Sequence, residues 1–261
     1  MELILFIATI PVLLICMYVY HHDPDKEPKK LLGKLFLWGI LTIAPIFFLE
    51  KYMISVFPIK DGMDIFKMLI FAFLDIGIIE ESFKWLALYL SIYTNKEFNH
   101  PYDSIVYGVF LSLGYALLEN LVYMINGGVI AGILRSFTSI PSHACTGIIM
   151  GYFMGIAKKE EGEKNQTGAN VYLLLSILMP VILHTLYDYL TMVKSTFFLV
   201  LFVLYVVFMY VISFVTIDKT SKIEENIKIK KKTNRTNLKF TILIMMSIII
   251  VLQLIALVIM T

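Results

Sequence analysis

The residues able to do chemistry in this chain are those that its apolar stretches should not tolerate. Glu80, Glu81 and Lys84 lie in Ile78-Ile79-Glu80-Glu81-Ser82-Phe83-Lys84-Trp85, with Asp75 just before them. Glu119 and Asn120 close Tyr115-Ala116-Leu117-Leu118-Glu119-Asn120, His143 follows Pro141-Ser142, and His184 and Asp188 stand four apart in a later run. A charge at the centre of a bilayer costs at least about 2.5–3.5 kcal/mol, so several in one chain need mutual pairing or a function.

Spacing assigns the first roles. Glu80 and Lys84 share a helix face in the favourable order of acid before base. Glu81 is left without a local partner. A carboxylate in an apolar site with no cation beside it holds its proton tightly, which suits a general acid/base that activates water. Glu81 is therefore the first candidate base, with Glu80 held by Lys84. The spacing of His184 and Asp188 lets the carboxylate orient the ring and fix its tautomer. Two histidines with one to three carboxylates suit zinc, with Glu81, Glu119, His143 and His184 as possible ligands. A metal-free route, in which a glutamate deprotonates water and histidines stabilise the oxyanion, is equally compatible. No H-E-x-x-H, G-x-S-x-G or P-loop is present, which leaves soluble-type zincins, serine hydrolases and P-loop nucleotide hydrolysis without support.

The elements that must position these groups are membrane helices. The chain is 261 residues long, 59% hydrophobic and 16% charged, against about 45–50% and about 25% for soluble proteins. The net charge of +2 gives no footing for nucleic acid. With roughly 20 apolar residues needed to cross the bilayer, the sequence predicts an all-α polytopic bundle, a single integral membrane domain. About eight spans are predicted, at 3–20, 31–49, 66–93, 104–125, 142–157, 171–192, 197–217 and 240–260, with an interfacial helix over 131–140. The first span lacks the basic start and cleavage site of a signal peptide and reads as a retained helix.

Basic residues set the expected orientation. Lys26, Lys29, Lys30 and Lys34, then Lys96, then Lys158, Lys159 and Lys164, then eight in the basic loop 218–239 alternate with poorer loops holding Lys51, Lys60, Lys67, Arg135 and Lys194. The first set, sixteen basic residues against five, belongs in the cytoplasm, which predicts both termini extracytoplasmic. Glu119 then lies about 24 Å from the cytoplasmic edge at 1.5 Å per residue, in the outer half. Cys16 and Cys145 fall in segments that end on opposite faces, so no disulfide is expected.

E-E-x-x-K at Glu80 to Lys84, aromatic-x-x-x-E at Tyr115 to Glu119, His143, and H-x-x-x-D at His184 to Asp188 resemble, in that order, the PrsW family of membrane-embedded proteases. The resemblance spans residues 20 to 190 or so and includes Asp25-Lys26-Glu27-Pro28, which looks like the family's acidic, proline-containing first loop. The protease core is then about 20–192, with two extra C-terminal helices at 197–217 and 240–260. The related CAAX prenyl and immunity-type proteases carry E-E-x-x-x-R and a histidine in the second motif, so Lys84 and Glu119 favour PrsW. Tyr115 stands where phenylalanine is typical, and the first loop lacks the fuller Glu-Pro repeat.

The resemblance implies catalytic roles for Glu80, Glu81, Glu119, His143, His184 and Asp188, with Lys84 and Asn120 in support. It implies a bacterial cell membrane location and site-1 cleavage of a single-pass membrane protein, an anti-sigma factor, on the extracytoplasmic side. Two rivals remain at this point. A proton- or ion-coupled transporter would use the same intramembrane groups as a relay, although no internal repeat is evident. A CAAX-type immunity or scaffold protein would use them only to pack helices.

Overall fold

A computed structural model describes residues 2–58 and 63–224 as helices and short connections. The elements are α1 (Glu2–His22), α2 (Lys29–Val56), α3 (Ile65–Phe71), a π-turn (Ala72–Gly77) leading directly into α4 (Ile78–Ile92), α5 (Pro101–Phe137), α6 (Ser139–Gly162), α7 (Gln166–Met192) and α8 (Thr196–Glu224). Seven of the eight predicted spans coincide with these helices to within a few residues at most ends. The predicted span at 240–260 and most of the basic loop before it lie outside the described residues. Five helices, α2, α5, α6, α7 and α8, are long and apolar enough to cross a membrane, and α1 contributes a shorter apolar stretch. The chain is a multi-pass, all-α membrane protein.

The predicted interfacial helix at 131–140 is the C-terminal end of α5 up to Phe137, with Ser139 and Ile140 opening α6. Helical geometry breaks at Gly128, whose φ of 82° suits glycine alone at low cost. The residues after it turn back to Phe137 before α6 begins.

Without a hydrophobic driving force between helices in lipid, small residues that let backbones approach do the packing. On α6, Gly147, Gly151 and Gly155 recur every four residues on one face, and His143 is the next position of that row. A Cβ at Gly147 would meet the Gly108 carbonyl at 2.7 Å, and one at Gly155 would meet that of Pro101 at 2.5 Å. At Gly151 the backbone oxygen of Ser104 lies 2.1 Å from a Cβ position, and Ser104 Oγ donates to the Gly151 carbonyl at 2.7 Å. This seam fixes α6 on α5 and so sets where His143 meets Glu119. Gly151→Leu should push the helices apart at a cost of about 1–3 kcal/mol or more. The expected outcome is a lower melting temperature in detergent and loss of cleavage, with Gly151→Ala milder in both.

The π-turn does the same for α4 and α7. A Cβ at Gly77 would lie 2.3 Å from Thr185 Oγ1, so this turn brings α4 against α7 one step before Glu80 and Glu81. Trp85 Nε1 donates to Ser176 Oγ at 2.7 Å and ties the two helices again beyond Lys84. Single-turn π segments recur at functional sites because they re-aim the residues that follow.

The connections predicted to be cytoplasmic gather at one end of the bundle. Ser221 Oγ donates to the His22 carbonyl at 2.7 Å, Lys158 Nζ lies 4.7 Å from the centre of the Tyr93 ring, and Tyr107 donates its hydroxyl to Glu27. In this first loop Asp23 caps the backbone of Asp25 and Glu27. Burial raises its carboxyl to about 6. Glu27 is raised too, first by burial and then by the carboxylate of Asp103. A folded-state carboxyl raised above its unfolded value keeps its proton while the unfolded chain has lost it, so stability drains as pH climbs from the unfolded value toward the folded one. The melting temperature in detergent should therefore fall between about pH 5 and 9, by about 2–4 °C per kcal/mol lost. Glu27→Gln, which cannot ionise, should flatten that slope.

Candidate active site

Lys84 is fully buried, and an ammonium has three N–H donors and no acceptor. Its three donors meet Glu80 Oε2 at 2.9 Å, Glu81 Oε1 at 2.9 Å and His143 Nδ1 at 3.2 Å. The sequence pairs Lys84 with Glu80 alone and leaves Glu81 unpartnered; the structure corrects both points. Residues 80, 81 and 84 occupy adjoining faces of α4, so one ammonium reaches both carboxylates, and the Tyr115 ring closes over it with Nζ 4.2 Å from the ring centre. The same ring meets that of His143 edge to face, with centres 5.5 Å apart.

His184 stands between two carboxylates, with Nδ1 2.7 Å from Glu81 Oε1 and Nε2 3.1 Å from Asp188 Oδ2. The expected orienting of His184 by Asp188 is in place. His143 is held from both sides as well. Its Nε2 donates to Glu119 Oε2 at 2.9 Å, which leaves Nδ1 as the acceptor for Lys84 and defines the tautomer. Its carbonyl accepts from Ser112 Oγ at 2.8 Å and Thr146 Oγ1 at 3.0 Å. The two imidazoles meet edge to face, with ring centres 5.0 Å apart and planes at 87°. α4, α5, α6 and α7 therefore bring Glu80, Glu81, Lys84, Glu119, His143, His184 and Asp188 into one connected network.

Asn120 does not join it. Its side chain is fully buried, and neither amide atom has a hydrogen-bond partner among the described residues. Two residues that the sequence reading did not single out belong to the site instead. Arg135, on the segment beyond Gly128, places Nη2 2.5 Å from Glu119 Oε2 and its guanidinium 3.7 Å from the centre of the Tyr123 ring. Glu50 of α2 lies on the face of Ile46 and Met53, which pack in one cluster with Ile79 and Tyr115. It stands within electrostatic reach of Glu80, Asp75 and Glu119. The signal for Glu50 was present in the sequence, an acid one helical turn after the core position Ile46.

Glu80, Glu81, His143 and His184 each offer an atom within 4.8 Å of the others, a grouping able to hold a metal ion. Glu119, expected among the ligands, is outside this group and Glu80 takes its place. Carboxylate and imidazole are the donor types zinc accepts. The fit fails at the centre, which Lys84 Nζ holds by hydrogen bonds to three of the four residues.

A multi-pass helical protein with ionised carboxylates, two imidazoles and an ammonium locked together in its apolar interior has the equipment of a membrane-embedded hydrolase. Residues 27–216 match the PrsW family intramembrane metalloproteases, and the chain belongs to that family. It is 36% identical to the protease PrsW of Oceanobacillus iheyensis over 73% of this chain and 84% of that one. It is 37% identical to that of Halalkalibacterium halodurans, over 79% and 89%, and 33% identical to that of Bacillus subtilis, over 69% and 78%. No solved structure matches the chain. The protein is thus a membrane protease of the PrsW type.

Proposed function

We propose that this protease cuts a peptide bond of a single-pass membrane protein on the extracytoplasmic side, as the site-1 step against an anti-sigma factor, and that the network around Lys84 is its catalytic centre. The observation that carries the reading is the convergence of Glu80, Glu81 and His143 on one buried ammonium, with His184 and Asp188 joined through Glu81 and Glu119 joined through His143, from four helices in all. Packing alone needs no such set, since a buried ion pair is weak evidence for stability.

Glu81 divides its two oxygens between tasks. Oε1 takes Lys84 and His184, whereas Oε2 is buried with no partner among the described residues. Oε2 is the acceptor for a water proton. The water oxygen adds to the peptide carbonyl carbon, and the proton passes to Glu81. The Lys84 ammonium and the His184 imidazole stabilise the negative oxygen that results. Collapse breaks the C–N bond, the proton held by Glu81 goes to the departing nitrogen, and a carboxylic acid and an amine are released. Asp188 holds the His184 ring, and Glu119 with Arg135 holds that of His143.

Orientation follows from the basic loops. Those at 23–34, 93–100 and 158–165 share the cytoplasmic end, which puts Glu119, Arg135 and His143 toward the outside, where a substrate's extracytoplasmic juxtamembrane segment is reached. The test is cleavage of a single-pass substrate with an extracytoplasmic domain by the purified chain in liposomes, with ion flux measured in parallel. A cut on the outer side is expected; flux without any cut would replace this reading with the transporter.

A further inference from the structure

The family is one of metalloproteases, and the structure puts a lysine where a metal would sit. Zinc bonds oxygen and nitrogen ligands at about 2.0–2.2 Å. An ion set between Glu80 Oε2, Glu81 Oε1 and His143 Nδ1 would need the space that Lys84 Nζ fills at 2.9, 2.9 and 3.2 Å from them. The fourth donor is engaged as well, His184 Nδ1 lying 2.7 Å from Glu81 Oε1. Lys84 has no easy exit. It is fully buried, the Tyr115 ring lies on it, and its neighbour Trp85 is also fully buried and pinned to α7.

Charge tells the same story. Glu80, Glu81, Glu119 and Asp188 face Lys84, Arg135 and a His184 whose two nitrogens both point at carboxylate oxygens. Two fixed cations already face these four anions, each within an ion pair of the network.

We propose that the ammonium of Lys84 is the resident cation of this site, that the chain cleaves its substrate without a metal, and that the cluster accepts zinc only when Lys84 is removed. The cleavage part rests on the protease reading above; the zinc part stands apart from it. Lys84 is then a catalytic residue of its own, supplying the positive charge that a metal supplies elsewhere and leaving Glu81 to take the water proton.

The experiment counts zinc by elemental analysis on the full chain in detergent after equilibration with zinc and removal of the unbound ion. The wild type should hold a substoichiometric amount that Glu80→Gln and His184→Ala do not lower. Lys84→Ala should gain a stoichiometric zinc, and Lys84→Ala with His184→Ala should lose it again. Stoichiometric zinc in the wild type that falls with Glu80→Gln or His184→Ala overturns the proposal. Because Lys84→Ala exposes two buried carboxylates to each other and can fail to fold, a second measurement uses only the wild type. Cleavage in liposomes should survive exhaustive chelation; loss on chelation with recovery on added zinc overturns the proposal and leaves the protease reading intact. Absence of cleavage under every condition counts against the protease reading, and the zinc count on the wild type still decides this one.

Discussion

Glu81→Gln is expected to accumulate in membranes at close to wild-type level and to lose cleavage by about 10²–10⁴-fold, the contribution usual for a positioned general base. Glutamine keeps the volume and one oxygen able to accept from Lys84 or His184, so the contacts at 2.9 and 2.7 Å can persist. The lost feature is the acceptor for the water proton. Stability changes little because Lys84 retains Glu80 at 2.9 Å and His184 retains Asp188. The measurement pairs initial rates in liposomes with the melting temperature in detergent. A variant that melts normally and cuts normally would move the base elsewhere, with Glu80 next in line. A variant that no longer accumulates would assign Glu81 to packing.

Most of the helices, and the helices that carry the site, are legible in the sequence because lipid makes the signal loud. Long apolar runs mark the spans, and any acid or imidazole inside them stands out against its cost. What sequence spacing conveys is local geometry. Glu80 and Lys84 on one helix are read correctly, and so are His184 and Asp188. The contacts that complete the site are long-range. His143 lies 59 positions from Lys84, and His184 lies 103 from Glu81. No periodicity on α4 says that one ammonium serves both carboxylates and an imidazole, so Glu81 looks unpartnered until α6 and α7 are placed.

Arg135 was hidden for a related reason. It sits in a stretch read as interfacial, and only the left-handed turn at Gly128 folds that stretch back so that an arginine 16 residues downstream reaches Glu119. Glu50 falls one residue past the predicted span at 31–49, whereas α2 continues to Val56. The supporting role that the resemblance implies for Asn120 finds no contact, since both its amide atoms lack a partner among the described residues.

Arg135→Ala should be the most damaging change outside the family motifs. Removing one partner of a buried ion pair costs about 3–5 kcal/mol because the other charge is stranded. Here the two side chains are 17% and 16% exposed, which moves the cost toward the lower end. At about 2–4 °C per kcal/mol for a chain of this class, the melting temperature in detergent should fall by several degrees. Cleavage should fall further than stability accounts for. Glu119 Oε2 accepts from both Arg135 and His143, and without the guanidinium the carboxylate is free to turn from the imidazole whose tautomer it fixes. Arg135→Lys keeps the charge but forgoes the fork and part of the stacking on Tyr123, so it should recover stability more than activity. Arg135→Met with Glu119→Gln removes both charges together. It should melt near the wild type yet stay slow, a coupling that a double-mutant cycle reads directly. Equal melting and equal cleavage for Arg135→Ala and wild type would show that the pair is ornamental and that Glu119 is held by His143 alone.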